Sequence, residues 1–384
     1  MEPSGSRIDR VRGVDEVENF VELLRSGFHS AETCGVCQFF VKGRGETRFY
    51  VDVTRDNIGY ALGEHARPTT TISMPRTLFS SIIARPHLWD PRNPEAMADV
   101  SISGNLEMAL FLGTIAKAPA QTGMNVFREA ERKARRLAPM SADLARLRSP
   151  TRGEILRRLE AGIPFVVIDG LRDAGAWGWS LAEIKRCFSG LRLDSIDRPT
   201  GRAFELGDIF RELEAGRESY THGVAMPAAM RPYFRLPLFP EEAFNTPMLW
   251  MGRKSGESGR EPCTALHRDT SHGFLAHILG TKRLLLYSPD QAAKVYPEPA
   301  YNVFQTCQIK TWQPDYQRFP LSRDLRGIEL RLRPMEMLVI PAGWFHEVYC
   351  EGTVMSVGTF MNWGYWKSVA GERMSREPGT VHDV

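Results

Sequence analysis

Residues 264–279 read TALHRDTSHGFLAHIL, two strand-like segments separated by a short polar turn. On a strand, alternate side chains point to the same face, so His267 and Asp269 would share one face and Arg268 the other. This is the one His-x-acid triplet in the chain. Nine histidines and 46 acidic residues in 384 positions predict about one such triplet by chance, so its meaning depends on what surrounds it.

A third ligand for a metal would have to come from elsewhere, and His346 is the candidate. It follows the apolar stretch Met335–Phe345, which has the pattern of a strand and then a Pro/Gly turn. Two histidines and one carboxylate are the donor set of non-haem Fe(II) oxygenases. The alternative is that His267 and His346 are ordinary buried histidines and that Asp269 is a turn carboxylate.

Further segments follow the triplet in a specific order. They are GTKRLLLYSPDQ at 280–291, QPDYQRFP at 313–320 and LVIPAGWFH at 338–346. With them, the chain from Pro164 to about Trp366 resembles the JmjC oxygenases of the cupin type. Within that family it is most similar to the factor-inhibiting asparaginyl hydroxylases that act on hypoxia-inducible factor.

The resemblance implies a double-stranded β-helix that uses Fe(II), 2-oxoglutarate and O2 to oxidise a C–H bond. Iron would be bound by His267, Asp269 and His346. Lys282 would pair with the distal carboxylate of 2-oxoglutarate, because a cation inside a barrel needs an anionic partner. Thr264 and Tyr220 occupy positions whose hydroxyls hold the same carboxylate in the family, although a core aromatic is an equal alternative for Tyr220.

Three departures from the family limit what can be carried over. The family has an asparagine where this chain has Gly273, and the position of its second asparagine falls on either Gly358 or Asn362. Asn362 is the candidate for a contact to the keto-acid end. The residues that grip the family's protein substrate differ around Val303–Thr306, so asparaginyl hydroxylation is not expected. The presence of Asp269 argues against a halogenase.

The first part of the chain resembles a sterol-carrier-type domain over residues 14–118. The matching segments are CQFFV at 37–41, RFYVDV at 48–53 and ISGNLEMAL at 102–110. That fold implies an apolar tunnel for an acyl chain or sterol; a docking or dimerisation module, and with it a homodimer, stays open. Cys34 and Cys37 form a lone C-x-x-C, which we interpret as two structural thiols.

We therefore expect an α+β chain in three parts. An α/β sterol-carrier-like domain spans 14–118, a helical connector spans 119–161, and a jelly-roll JmjC/cupin domain spans 162–370. The formal net charge of +3 gives no broad basic field, so nucleic acid is not an expected partner. No apolar run approaches the ~20 residues of a membrane span. Six cysteines without an export signal indicate reduced thiols in a cytoplasm.

The expected function is hydroxylation of a small organic molecule or of a carrier- or lipid-linked substrate. One alternative keeps the chemistry and oxidises a side chain of a protein or peptide. Another is a hydrophobic-ligand carrier whose cupin half binds metal without turnover. The sequence specifies neither the oxidised carbon nor whether hydroxylation leads on to desaturation or demethylation.

Overall fold

The architecture was analysed in a computed structural model of the chain. It describes residues 7–376 except for 32, 92–96, 138–142, 169–170, 172–174, 176–177, 198–201, 237 and 257–258. The chain divides into two compact units. The N-terminal unit comprises the described residues of Met1–Asn125 together with Pro297–Thr306, and the C-terminal unit comprises those of Val126–Tyr296 and Cys307–Val384.

The N-terminal unit is a five-stranded sheet with helices packed against it. Its described helices are α1 (Arg7–Gly27), α2 (Arg76–Ala84) and α3 (Leu106–Ile115), and the strands of its sheet are β1 (Gly35–Lys42), β2 (Thr47–Val53), β3 (Ile58–Leu62), β4 (Thr70–Pro75) and β5 (Ser101–Gly104). The strand order is β3-β2-β1-β4-β5, and β1 and β4 are its parallel pair.

Aromatic rings fill the centre of this unit. Helix α1 buries a stripe that includes Phe20, and the facing sheet contributes Phe39 and Phe49 on alternate inward positions. Phe39 and Phe49 stack with ring centroids 4.8 Å apart, and Phe79 of α2 lies 5.0 Å from Phe20. The α/β class expected for this part of the chain is confirmed.

Helices lead from the first unit into the second. Helix α4 (Gln121–Ala134) contains the division between the units, and α5 (Arg152–Ala161) follows it. The hydroxyl of Thr151 caps α5 by accepting from the Glu154 amide, and Gly162 ends that helix in a left-handed conformation.

The C-terminal unit is a mostly antiparallel sheet, in which β6 and β7 are a parallel pair, with helices at its margins. Its remaining helices are α6 (Leu181–Phe188), α7 (Leu206–Glu214), α8 (Ala292–Val295) and α9 (Trp363–Arg376). The strands from here on are β6 (Arg146–Arg148), β7 (Phe165–Ile168), β8 (Arg192–Asp197), β9 (Arg202–Glu205), β10 (Ser219–Tyr220), β11 (Val224–Ala225), β12 (Met248–Arg253), β13 (Thr264–Asp269), β14 (Gly273–Tyr287), β15 (Phe304–Thr306, in the N-terminal unit), β16 (Gly327–Leu332), β17 (Met337–Ile340) and β18 (Phe345–Phe360).

Two long strands organise this unit. The backbone order β10-β12-β18-β14-β17-β7-β6 has β14 and β18 at its centre, with β13 on β18 and β16 on β14. β14 and β18 pair along their whole length and bend where the register shifts between His277 and Thr281. Gly280 is required at this bend because it has φ +76°, and a Cβ there would lie 2.2 Å from the carbonyl oxygen of Thr353.

The α+β class predicted from the sequence is confirmed for the described chain. No helix among the described residues combines the length and the apolar character that crossing a membrane requires.

Candidate metal centre

Three side chains with metal-ligating groups converge where β13 meets the start of β18. His267 and Asp269 lie on β13, and His267 is directly opposite His346 in the antiparallel register. The ring centroids of the two histidines are 4.2 Å apart. The alternation of β13 puts His267 and Asp269 on one face, so the register alone brings the third residue to them.

The geometry of the three fits a metal ion. Oδ2 of Asp269 lies 3.8 Å from Nε2 of His267 and 3.6 Å from Nε2 of His346. One potential ligand atom from each residue falls within 4.8 Å of the others, and this is the sole cluster of three such residues found among the described residues. Three donors at these separations can close around a small divalent ion.

Backbone carbonyls orient both imidazoles. Nδ1 of His267 is 2.8 Å from the oxygen of Ala265, and Nδ1 of His346 is 3.1 Å from the oxygen of Trp344. Carbonyls only accept, so each Nδ1 donates and each Nε2 keeps its lone pair for a metal. Burial, with His267 beside it, lowers the pKa of His346 to about 3, which leaves the ring in the neutral form that binds metals.

The triad opens into a cleft. Its walls are mostly apolar and are formed by Trp250, Phe274, Leu275, Ile340, Val348 and Phe360. Polar groups in the same cleft come from Thr264, Lys282 and Thr359 in addition to the triad. An apolar cleft with a few convergent polar groups is the usual form of a ligand site.

Lys282 is a buried cation without an anionic partner among the described carboxylates. Its side chain is 1 % exposed, and Nζ lies 5.7 Å from the ring centroid of Tyr220. Burial lowers the pKa of Lys282, because the charged form loses its hydration. A cation in this position gains most from an anionic ligand.

The sequence reasoning did not single out the thiol of Cys263, which lies close to this lysine. The neighbouring Cys350 thiol and the charge of Lys282 lower the pKa of Cys263 against the effect of burial, and Sγ of Cys263 donates to the backbone oxygen of Val348 at 3.3 Å. No pattern in the sequence indicates this pairing, because Cys263 precedes β13 and Cys350 lies in the middle of β18.

Three buried hydroxyls near Lys282 or in the cleft make no hydrogen bond of acceptable geometry to the described residues. They belong to Thr264, Tyr220 and Thr359. Thr264 and Thr359 line the cleft, and burial raises the pKa of Tyr220, so its phenol stays protonated and able to donate. A buried polar atom without a partner in the protein indicates a site for a ligand or for water.

The structure does not bring Asn362 into this cleft. Its Oδ1 accepts hydrogen bonds from the amides of Gly364 at 2.9 Å and Tyr365 at 3.3 Å, which caps the start of α9. Gly358, the other position considered for the family's second asparagine, lines the cleft, as does Gly273. The amide side chain expected from Asn362 is therefore replaced by glycine at the cleft wall.

The C-x-x-C motif lies apart from this site. Cys37 is buried in β1 and Cys34 is exposed just before it. Burial raises the pKa of Cys37 to about 12, so it is a protonated core residue rather than a reactive thiol.

Comparison with known proteins assigns the C-terminal region. The family model described as a cupin-like domain matches residues 212–369. Among curated proteins, the JmjC domain-containing protein D of Dictyostelium discoideum is 35 % identical over 100 residues, which are 26 % of this chain and 21 % of that protein. Lysine-specific demethylase 8 of Xenopus tropicalis is 34 % identical over 83 residues, or 22 % of this chain and 19 % of the relative.

A third relative, tRNA wybutosine-synthesizing protein 5 of Gallus gallus, is 28 % identical over 106 residues, which cover 28 % of this chain and 30 % of that protein. The chain thus spans less than a third of the length of each of these relatives. The C-terminal region is a cupin-like JmjC domain, as the sequence predicts, and domains of this kind generally use Fe(II) and 2-oxoglutarate.

The solved structures that are similar to part of this chain include one SCP2-like protein. It is the solution structure of palmitated SCP2L2 from Aedes aegypti, with 16 % sequence identity and a TM-score of 0.23. The match covers 26 % of this chain and 90 % of that protein.

Proposed function

We propose that this chain is an Fe(II)- and 2-oxoglutarate-dependent dioxygenase that hydroxylates a C–H bond of an organic substrate. One observation carries the proposal: the His267–Asp269–His346 cluster opens into the same cleft as the buried Lys282, which forms no ion pair with a described carboxylate. A site that only bound a metal ion would not need Lys282, because burying its charge costs desolvation free energy.

The donor set fits the metal and the cosubstrate. Two neutral imidazoles and one carboxylate would hold Fe(II) and leave adjacent coordination positions free. Lys282, with the hydroxyls of Thr264 and Tyr220, would bind the distal carboxylate of 2-oxoglutarate. Bound Fe(II) supplies the redox chemistry in which O2 oxidises 2-oxoglutarate to succinate and CO2 and hydroxylates the substrate.

The chain's own residues position the reactants. The two backbone carbonyls that accept from Nδ1 of His267 and His346 fix the direction of both ligands. Lys282 fixes the far end of the cosubstrate, so its keto-acid end is directed at the triad. The aromatic and aliphatic walls lower the local polarity around the polar groups of the cleft, which strengthens their contacts with a bound ligand.

A small-molecule or carrier-linked substrate remains our proposal for the class of substrate. The relatives' names point to different targets, a lysine side chain and a tRNA base, so they transfer no single substrate. Oxidation of a protein or peptide side chain is the competing proposal, and it predicts turnover with peptides.

The test is succinate formation from 2-oxoglutarate, followed with metabolite pools in one arm and peptide libraries in the other. We expect turnover that requires Fe(II), is stimulated by one arm, and is lost in His346→Ala. Arg283→Met serves as the matched control, because Arg283 stacks on Tyr349 outside the cleft and pairs with Glu329. Fe(II)-independent turnover, or turnover that survives His346→Ala, would refute the proposal.

A further inference from the structure

Trp250 occupies a slot in the wall of the cleft that two glycines create. A Cβ on Gly223 would lie 2.5 Å from the Trp250 ring, and a Cβ on Gly358 would lie 2.6 Å from its Nε1. Both separations are far below any real carbon contact, so neither position accepts another residue while the indole stays in place. Gly223 has φ +74°, which also favours glycine.

The indole N–H of Trp250 is a donor without an acceptor among the described residues. Two other tryptophans show the usual arrangement: Nε1 of Trp89 donates to the oxygen of Gly113 at 2.9 Å, and Nε1 of Trp344 donates to the oxygen of Gly162 at 2.8 Å. Trp250 is only partly buried, so its N–H can donate to a ligand or to water in the cleft. Trp250 lines the cleft instead, with its N–H edge beside Gly358, which lines the cleft too.

The unsatisfied groups of the cleft complement an anion rich in acceptors. Trp250 can donate but cannot accept, and Lys282 is likewise donor-only. Thr264 and Thr359 add hydroxyls that make no hydrogen bond of acceptable geometry to a described residue. A ligand that satisfies this set must present several oxygen acceptors along its length, which a dicarboxylic 2-oxo acid does and an apolar or cationic molecule does not.

We propose that Trp250 is a positioning residue for the 2-oxo acid, with its indole N–H donating to one of the oxygens of that ligand. Gly223 and Gly358 serve this role by holding the ring at the wall of the cleft. The inference rests on the proposed function, since it assumes that 2-oxoglutarate binds here.

The test measures binding rather than turnover. 2-Oxoglutarate is titrated by calorimetry, without O2, into the full chain loaded with Mn(II) as a stand-in for iron. Trp250→Phe keeps an aromatic ring and removes the donor, so we expect about tenfold weaker binding, the effect of one hydrogen bond to a charged acceptor. Trp179→Phe is the control, because Trp179 is also partly buried, stacks on Phe188 at the edge of the core and does not line the cleft.

A second variant tests the position of the Trp250 indole by changing Gly358, the glycine next to it. Gly358→Ala should displace the indole and weaken the binding of 2-oxoglutarate about as much as Trp250→Phe does. In the Trp250→Phe background, Gly358→Ala should weaken binding far less than it does in the unaltered protein. Gly190→Ala is its control, since a Cβ there meets nothing within 4 Å. Unchanged affinity in Trp250→Phe overturns the inference, as does an equal effect of Gly358→Ala in both backgrounds.

The results that would refute the proposed function differ from those that would refute the role of Trp250. If the unaltered, metal-loaded protein does not bind 2-oxoglutarate, or if Lys282→Met binds it as well as the unaltered protein does, the assignment of the cleft is wrong. If both of those results are as expected and Trp250→Phe still binds normally, only the role of Trp250 is refuted.

Discussion

Replacing Lys282 with methionine should have opposite effects on stability and on ligand binding. Methionine keeps most of the length and the apolar stem of the side chain but removes the charge. Lys282 is 1 % exposed and forms no ion pair with a described carboxylate. The ligand-free protein therefore carries the desolvation cost of this cation, which only an anionic ligand would offset fully.

The stability effect follows from that cost. Replacing buried charges by apolar residues of similar volume stabilises proteins by about 1–4 kcal/mol in favourable cases. The sulfur groups of Cys263 and Cys350 interact electrostatically with Lys282 and offset part of this cost. We therefore expect Lys282→Met to raise the free energy of unfolding of the ligand-free protein by about 1–2 kcal/mol.

The binding effect has the opposite sign. Without Lys282 the distal carboxylate of 2-oxoglutarate would be buried without a counter-charge. We expect a loss of about 3 kcal/mol, which raises the dissociation constant at least a hundredfold. At a 2-oxoglutarate concentration one hundred times its dissociation constant, the unaltered protein should gain about 2.7 kcal/mol of stability, and Lys282→Met almost none.

The assay is denaturant unfolding with Mn(II) present, with and without 2-oxoglutarate. Arg283→Met is the control, because Arg283 lies on the opposite face of β14, 3.9 Å from the ring centroid of Tyr349. The control should respond to 2-oxoglutarate as the unaltered protein does. A ligand-free Lys282→Met that is less stable than the unaltered protein, or one still stabilised by 2-oxoglutarate, would refute the reasoning.

Three further changes test other parts of the structure. Burial lowers the pKa of His277 to about 3 from 6.5, so on acidification the unfolded chain takes up a proton before the folded protein does, and stability falls as the pH drops from about 6.5 towards 3. Between pH 6 and 4, His277→Gln should make the dependence of the unfolding free energy on pH shallower by about 1.4 kcal/mol per pH unit. An unchanged slope would contradict this prediction. Phe49→Ala should cost about 3–5 kcal/mol of N-terminal unit stability in denaturant unfolding, and a loss below about 1 kcal/mol would mean that this core is loosely packed. Asn362→Ala should cost about 1 kcal/mol through the lost cap of α9 and leave the dissociation constant of 2-oxoglutarate unchanged in calorimetry, whereas a tenfold rise would place its side chain in the cleft.

Strand periodicity was sufficient to predict that two of the three metal-ligating side chains, His267 and Asp269, share one face. His267 and Asp269 are two residues apart on a strand, and any antiparallel pairing that buries their face directs them into one cavity. That His346 is the cross-strand neighbour of His267 could not be derived from periodicity, because register depends on strands distant in sequence. The ordered series of family motifs supplied that link.

Contacts made by single side chains could not be predicted from the sequence. Asn362 lies close in sequence to the position of the family's second asparagine. The helix that starts at Trp363 needs an N-cap, however, and the side-chain amide oxygen of Asn362 caps it. Trp250 is one of several apolar residues in β12, and nothing local marks it as the residue that lines the cleft. Its slot depends on Gly223 and Gly358, which come from other parts of the chain.

The segment Pro297–Thr306 shows that domain boundaries, too, could not be fully predicted from the sequence. It lies between segments of the C-terminal unit in sequence, yet it clusters with the N-terminal unit. Within that unit, Nδ2 of Asn302 donates to the oxygen of Trp89 at 3.1 Å, and Lys117 lies 5.5 Å from the ring centroid of Phe304. Such long-range contacts leave no compositional signal, because the segment resembles any other polar connection.

The central claim is that His267, Asp269 and His346 form an iron site that works together with the 2-oxoglutarate cleft. Anaerobic titration of Fe(II) into the full chain, with 2-oxoglutarate present, tests it most directly. We predict one equivalent of tightly bound Fe(II) in the unaltered protein and none in His346→Ala, with both proteins giving the same far-ultraviolet circular dichroism. Equal Fe(II) binding by the two proteins would contradict the account.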